Sequence, residues 1–279
     1  MLKLLERRVA GIDHRLVLLA PPDARIPPSL RQVTVSGADR ERLVRAVQRL
    51  RGAVYLEDGA VERHQLSSDG LHRTPEDDRS WHLLLLNAVR RITACVWYLE
   101  HDDDAAFDRL RVNSTPLAKS SEWRTTLARA VEGEMDQARR EGLKYAEVGG
   151  WAVVRESRCT AEGLLLALGA YSLGRALGGA LGITTATVRH SSSSILRRLG
   201  GASLEANGRT IPMYYDPHYN CFMELLRFDS RRPNPRFGGL VEGLREKLAS
   251  VAVVAASPLP DSVPLLPALQ SVALHPVFA

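Results

Sequence analysis

The chain has 279 residues, 45% of them hydrophobic, and can bury a full core in one large domain with extensions. Its net charge of +5 suits an acidic partner or a phosphorylated cofactor but is too small to indicate nucleic-acid binding. Three cysteines, Cys95, Cys159 and Cys221, lack metal-like spacing, which favours buried thiols in a reducing compartment. Residues 1–20 mix charges with leucines and lack a secretory hydrophobic region. We therefore expect a cytoplasmic protein without a metal or a membrane-spanning segment.

The beginning of the chain predicts little regular structure. Residues 1–35 contain two Pro-Pro pairs and are expected to be irregular, with one strand at residues 16–20. A helix is predicted next, because apolar residues recur at helical spacing after two candidate caps, Ser36 and Asp39.

A hairpin and a helix precede the centre of the chain. Two strand-like runs, residues 81–87 and 92–100, predict an antiparallel pair. The helix that follows begins at Ser120 or Ser121, shows apolar residues at helical spacing, and ends at Gly142.

The next strand, residues 145–154, carries the strongest functional signal. It is apolar except for Glu147, and a charge inside a sheet is costly unless it is paired or used. Gly149 and Gly150 weaken the strand and are typical of a bulge or of a close approach to the backbone. The combination predicts a strand that opens beside a ligand.

The segment after this strand completes a βαβα unit. Thr160 can cap a helix over residues 161–181, which is apolar on nearly every face and therefore expected to be buried. Residues 183–188 form a β-branched strand, and a short amphipathic helix then ends at Gly200 and Gly201. We expect a parallel strand pair with a right-handed crossover.

The remaining chain predicts an antiparallel end to the sheet. Asn207 and Gly208 are typical of a two-residue hairpin, since both turn positions need positive φ. A strand is predicted at residues 219–228 and a last helix at residues 240–254.

Three local sequences carry a resemblance to known enzymes. Residues 78–84 (Asp-Arg-Ser-Trp-His-Leu-Leu) resemble the entry to the first long hairpin of acyl-homoserine lactone synthases and N-acyl amino acid synthases. Residues 147–153 (Glu-Val-Gly-Gly-Trp-Ala-Val) resemble their central-strand motif, and residues 194–201 resemble their final helix with its Leu-Gly ending. The order of elements resembles the GNAT acyltransferase fold over about residues 39–228.

This resemblance implies an α/β fold of the α+β type. A single mixed, mostly antiparallel sheet would carry helices on both faces, with a splayed central parallel pair. We divide the chain into an irregular N-terminal extension (1–35), a GNAT-like acyltransferase domain (36–249) and a Pro-rich apolar C-terminal tail that packs on the body (250–279).

The sequence departs from the family pattern at three places. Gly150 stands where the central strand of the family has Arg, and Trp97 stands where the preceding hairpin strand has another Arg. Residues 155–160 lack the glycines of a standard GNAT pyrophosphate loop. The last departure favours an acyl chain delivered on phosphopantetheine, as by acyl carrier protein, over ordinary acetyl-CoA.

The resemblance implies acyl transfer from a thioester to an amine. That reaction needs a base for the amine, contacts that hold the thioester, and donors for the oxyanion. Glu147 is the candidate base; alternatively it is a partly buried carboxylate paired with an arginine such as Arg155, Arg189 or Arg227.

Two further residues are candidate catalytic groups. His190, at the end of the second central strand, could assist proton transfer or could serve as a surface or capping residue. Tyr215, one of three tyrosines around the turn at Asp216, could protonate the leaving thiolate or could pack in the hairpin.

Main chain and basic side chains around the predicted opening are candidates for holding the donor. They are Trp151, Ala152, Val153, Arg155, Arg158, Thr160, Thr185 and Arg189. The strand residues would hold the pantetheine in a strand-like manner, and the arginines would face its phosphate end. A solvated loop explains the arginines equally well, as helix capping and β-branched packing explain the threonines.

We therefore expect an N-acyltransferase that moves a long-chain acyl group from a phosphopantetheine thioester to an amine such as an amino acid. The donor would be carried by acyl carrier protein or by CoA. The alternatives are an acetyl-CoA-dependent N-acetyltransferase of the same fold, or a GNAT-like binding module without catalytic activity.

Overall fold

A computed structural model describes residues 2–158 and 160–256. Its α-helices are α1 (Leu2–Ala10), α2 (Gly37–Glu57), α3 (Pro116–Lys119), α4 (Arg124–Arg140), α5 (Glu162–Ala176), α6 (Ser192–Leu199) and α7 (Pro235–Lys247). Its strands are β1 (Leu16–Leu19), β2 (Gln32–Val35), β3 (Trp81–Leu86), β4 (Ile92–His101), β5 (Lys144–Val153), β6 (Ala180–Thr187), β7 (Ala202–Ser203), β8 (Glu205–Ala206), β9 (Arg209–Thr210), β10 (Tyr214–Asp216), β11 (Cys221–Asp229) and β12 (Ala252–Ala255).

Ten of these strands form one sheet. Its order is β10-β11-β6-β5-β4-β3-β1-β12-β2, with β7 beside β11, while β8 and β9 form a separate hairpin. Three pairs are parallel, β1 with β12, β12 with β2, and β5 with β6; the other pairs are antiparallel. The mixed, mostly antiparallel sheet and the hairpin of β3 and β4 are confirmed.

Helices cover both faces of the sheet, as predicted. On one face α1, α5 and α7 bury an apolar cluster against β1, β3 and β4. On the other face α2 packs over β1, β3 and β4, and α3 and α4 pack over β5, β6 and β11, in two separate apolar clusters. Polar residues, described below, lie between these two clusters.

The central parallel pair separates part of the way along. β5 and β6 pair from Lys144↔Ala180 to Val148↔Thr184 and then part, although β6 keeps its partner β11 and β5 keeps its partner β4. Residues 148–151 and 184–185, in the middle of a ten-stranded sheet, are half-buried rather than buried. We call the space between these facing strand edges the cleft. The predicted splaying is confirmed.

The two glycines of β5 form a bulge at the start of the cleft. The register between β4 and β5 shifts between Cys95 and Trp97, and Gly150 has a φ of +62°. A Cβ at Gly149 or Gly150 would lie 2.4 or 2.3 Å from the nearest atom of the Trp97 indole. The indole therefore fills the notch that the missing side chains leave.

The N-terminal residues are more regular than we expected. Besides the predicted strand, here β1, residues 2–35 form the helix α1 and the strand β2. The buried leucines and valines of this segment pack into the same core as α5 and α7. The extension is thus part of the sheet and of one helical layer.

Two predicted helices end earlier than expected. α5 ends at Ala176 because Gly178 and Gly179 have φ values of +113° and +96°, which stop a helix and lead into β6. α7 ends at Lys247, and the apolar, β-branched run that follows becomes β12, inserted between β1 and β2. Residues 257–279 of the predicted tail lie outside the described residues.

Candidate active site

Glu147 is buried and fully engaged. Its side chain points from β5 to the face between the two apolar clusters and is 4% exposed. One carboxylate oxygen lies 2.9 Å from His101 Nε2 and accepts the Arg111 amide at 2.8 Å, and the other accepts the Val112 amide at 3.0 Å. These partners replace the arginines considered from the sequence; Arg227, for example, donates to Glu134.

Arg111 connects Glu147 to the surrounding polar residues. Its Nη1 donates to Glu76 Oε2 at 2.8 Å, and its Nη2 donates to the Tyr219 hydroxyl at 2.7 Å. Burial alone would lower the pKa of Arg111, but Tyr219 and Glu76 raise it above its ordinary value. The guanidinium therefore stays charged beside Glu147.

Aromatic rings continue the site from Arg111 to the cleft. Tyr55 of α2 packs edge-on against Tyr219, with ring centroids 6.3 Å apart, and against His72, at 5.1 Å. Its hydroxyl donates to the Trp151 carbonyl of β5 at 3.3 Å. Burial lowers the pKa of His72 to about 4, so its ring is neutral near pH 7.

A buried ion pair next to His72 forms one side of the site. Arg51 of α2 and Asp77 are fully buried, and Arg51 Nη2 donates to Asp77 Oδ2 at 2.6 Å and to the His72 carbonyl at 2.8 Å. Burial alone would raise the pKa of Asp77, but the Arg51 guanidinium lowers it. Such a pair is costly to desolvate, which makes it a candidate functional feature.

Arg51 also faces the bulge of β5. Its Nε and Nη1 have no hydrogen-bond partner among the described residues. A Cβ built on Gly150 would lie 3.0 Å from Nη1. The guanidinium thus lies next to the position where the family motif has an arginine and this chain has glycine.

We call Glu147, Arg111, Tyr219, Tyr55, His72, Arg51 and Asp77 the polar cluster.

Of the other two predicted catalytic residues, Tyr215 lies apart from these contacts. Tyr215 is 47% exposed, and its hydroxyl donates to Asn220 at 2.5 Å, whereas Tyr219 from the same hairpin contacts Arg111. His190 falls in the short turn Arg189–Ser191 at the end of β6, and its side chain is not described.

The predicted donor-binding residues of β5 and β6 lie at the cleft. Trp151 is half-buried, and its ring packs on Gly163 of α5, where a Cβ would lie 3.1 Å away. Ala152 is buried on the α2 side and Val153 is half-buried. Thr185 is half-buried on the facing strand.

The predicted phosphate-binding residues lie at the open end of the cleft. Arg155 and Arg158 form ion pairs with Glu57 and Asp58, at the end of α2. Arg189 donates to the Asp58 carbonyl at 2.6 Å. Thr160 bonds its neighbours instead: it donates to the Ser157 carbonyl at 2.6 Å and accepts the Glu162 amide at 3.2 Å.

We did not predict several residues of the polar cluster from the sequence. A signal existed for Arg51, which lies at helical spacing between Val47 and Val54 on the buried stripe of α2. Asp77 belongs to an acidic triplet that reads as solvated, yet it is buried. Nothing local identifies Arg111, which is brought to Glu147 by the chain between β4 and α4.

The described residues hold no group of three or more His, Cys, Asp or Glu side chains placed to bind a metal ion. Within the same part of the chain, no helix combines the length and apolar character needed to cross a bilayer.

Comparisons with known proteins identify the fold. No protein-family model matches the chain, and no curated protein matches it significantly in sequence. The CoA-dependent acyl-homoserine lactone synthase BjaI, with MTA, is 14% identical over 88% of this chain and 95% of its own, with a TM-score of 0.52. With SAM and isopentyl-CoA, BjaI gives 15% identity over the same shares and a TM-score of 0.51. FeeM, an N-acyl amino acid synthase from uncultured soil microbes, is 16% identical over 70% of this chain and 94% of its own, with a TM-score of 0.44. The similarity to BjaI confirms the GNAT-like, acyl-homoserine lactone synthase-like fold that the resemblance implied.

Proposed function

We propose that the protein is an N-acyltransferase that moves a long-chain acyl group from a phosphopantetheine thioester to the amine of a small molecule such as an amino acid. The observation that carries the proposal is the cleft between β5 and β6, which opens beside the polar cluster. It offers two unpaired strand edges to a donor and ionisable groups to an acceptor.

The donor would lie along the cleft. Pantetheine carries amide groups that can pair, as an added strand would, with main-chain groups of residues 149–153 and 185–187, which lack ladder partners across the cleft. The phosphate would face Arg155, Arg158 and Arg189. BjaI is described as CoA-dependent and is known with isopentyl-CoA, so its fold accepts a donor of this class.

The acceptor would enter from the α2 and α4 side. Glu147 takes the proton of the amine, directly or through a water, as the amine attacks the thioester carbonyl. The C–N bond forms, the C–S bond breaks, and the leaving thiolate takes a proton from a hairpin tyrosine. We give this role to Tyr219, which Arg111 holds in the polar cluster, with Tyr215 as the alternative. His190, at the end of β6, remains a candidate proton carrier.

Glu147 needs no arginine to act as a base. Its position is fixed by two backbone amides and by His101, while Arg51 supplies positive charge beside the bulge. Positive charge so placed would favour the oxyanion of the tetrahedral intermediate. In this proposal Arg51, reaching in from α2, compensates for Gly150.

The test is an acylation assay. The protein is incubated with long-chain acyl-CoA, acyl carrier protein thioesters or acetyl-CoA, together with a panel of amines, and products are identified by mass spectrometry. We expect an N-acyl product with a long-chain donor; Tyr219→Phe should lower turnover and Tyr215→Phe should not. Product from acetyl-CoA alone would favour an N-acetyltransferase. No product and no donor binding would favour an inactive binding module.

The cytoplasmic location predicted from the cysteines belongs to the same proposal.

A further inference from the structure

The end of α2 lies across the open end of the cleft. Glu57, its last residue, and Asp58, its C-cap, contact arginines of the loop after β5. Arg158 Nη1 and Nη2 lie 2.6 and 3.1 Å from the two Asp58 carboxylate oxygens, in a bidentate pair. Arg155 Nε lies 2.5 Å from Glu57 Oε1. We call Glu57 and Asp58 the acidic latch.

The acidic latch also reaches the opposite strand. Arg189, in the turn after β6, donates from Nη1 to the Asp58 carbonyl and from Nη2 to the Asn220 carbonyl, both at 2.6 Å. The same short segment therefore bridges the loop that follows β5 and the turn that follows β6. These are the two strands whose separation forms the cleft.

The position of the acidic latch is electrostatically unfavourable for α2 itself. Helix C-termini carry partial negative charge, so acidic residues there are destabilising and basic ones are preferred. The last turn of α2 contains no basic residue. The carboxylates are thus held by Arg155 and Arg158 and not by their own helix, while Arg189 binds the Asp58 carbonyl.

We infer that the acidic latch occupies the site where the phosphate of the donor would bind. When a phosphate-bearing pantetheine binds, its phosphate replaces the latch carboxylates on the arginines. The pyrophosphate of CoA, or a phosphate monoester, carries more charge than one carboxylate and offers more acceptor oxygens to the same guanidinium forks. The ion pairs to be exchanged are partly exposed, with the Arg158 and Asp58 side chains 25% and 16% accessible, so solvent screens them and a phosphate can compete for the arginines. The latch would then select against donors that lack a phosphate.

This inference rests on the proposed function, because it needs a thioester donor in the cleft. Its test is calorimetric titration of the full chain with CoA, 4′-phosphopantetheine and pantetheine. CoA represents a donor on the free cofactor, and 4′-phosphopantetheine represents the arm by which a carrier protein holds the acyl group. The variants are Asp58→Asn, which keeps the shape but removes the charge, and Asp103→Asn, which removes an exposed partner of Lys144 far from the cleft.

Asp58→Asn should bind CoA and 4′-phosphopantetheine about two- to fivefold more tightly than the wild type, the size of one solvent-screened ion pair, and should bind pantetheine as the wild type does. Asp103→Asn should change none of these affinities, and Arg158→Gln should weaken the phosphate ligands alone. If Asp58→Asn binds the phosphate ligands no more tightly than the wild type, or if its affinity for pantetheine rises equally, the inference about the latch is wrong. The proposed function would still stand. If the wild type binds none of the three ligands, the proposed function fails and the latch with it.

Discussion

Glu147 on β5 and His101 on β4 share a hydrogen bond of 2.9 Å in the interior of the protein. They come from adjacent antiparallel strands but are not directly opposite, since Glu147 faces Leu99 and His101 faces Tyr145 in the ladder. With the two amides of residues 111 and 112, His101 leaves the carboxylate in one orientation. Because a carboxylate held in this way cannot turn toward the substrate, it can accept a proton only from an amine or a water molecule that comes within hydrogen-bond reach.

We expect Glu147→Gln to lower both activity and stability. Glutamine has one acceptor oxygen, and its NH₂ group would face N–H donors that the carboxylate now satisfies. The loss should be about 1–3 kcal/mol of unfolding free energy, measured by urea denaturation, together with loss of acylation. Glu134→Gln, which alters the half-buried partner of Arg227 outside the polar cluster, is the control and should retain activity. Wild-type turnover in Glu147→Gln would refute the base assignment.

Gly150 should tolerate no side chain. Alanine there would combine positive φ with a Cβ 2.3 Å from Trp97, and we expect a loss of about 2–4 kcal/mol in urea unfolding. Gly133→Ala is the matched control: it lies in α4, nothing stands within 4 Å of its Cβ, and the change should stabilise by about 0.5–1 kcal/mol. Equal effects of the two changes would contradict the packing described for the bulge.

The opening of the sheet was predictable because its signal is local. A carboxylate and two glycines within four residues of an otherwise apolar strand oppose a continuous ladder. The partners of Glu147 were not predictable, since His101 and Arg111 lie 46 and 36 residues away in sequence. Likewise β12 comes from the other end of the chain to pair with β1 and β2, a long-range contact that no local pattern encodes.

Arg51 and Asp77 should depend on each other. Removing either partner leaves a buried charge without its counterion, so Arg51→Met and Asp77→Asn should each cost about 3–5 kcal/mol. The double variant leaves no unpaired charge and should cost less than the sum of the two. A double-mutant cycle by urea unfolding measures this coupling, and additive losses would show that the pair is not coupled.

Stability should fall below pH 6.5, in part because of His82. Burial lowers the pKa of His82 to about 4, so between pH 6.5 and 4 the unfolded chain binds a proton that the folded protein does not. His72 acts in the same direction, whereas Glu100, whose pKa burial raises to about 7, acts in the opposite one.

The contribution of His82 can be isolated by His82→Gln, which retains a donor for the Asp77 carbonyl. In that variant the decline of unfolding free energy between pH 6 and pH 4.5 should be shallower by about 1 kcal/mol per pH unit. Urea unfolding at several pH values measures the slopes. Identical slopes in the variant and the wild type would show that His82 is not the group responsible.

Amide hydrogen exchange in the presence of a donor tests the role of the cleft most directly. A long-chain acyl thioester of 4′-phosphopantetheine should slow exchange at residues 149–153 and 185–187, whose facing edges lack ladder partners, and should leave β3 unchanged. If the donor saturates the protein while these amides exchange at their original rates, the thioester does not lie between β5 and β6.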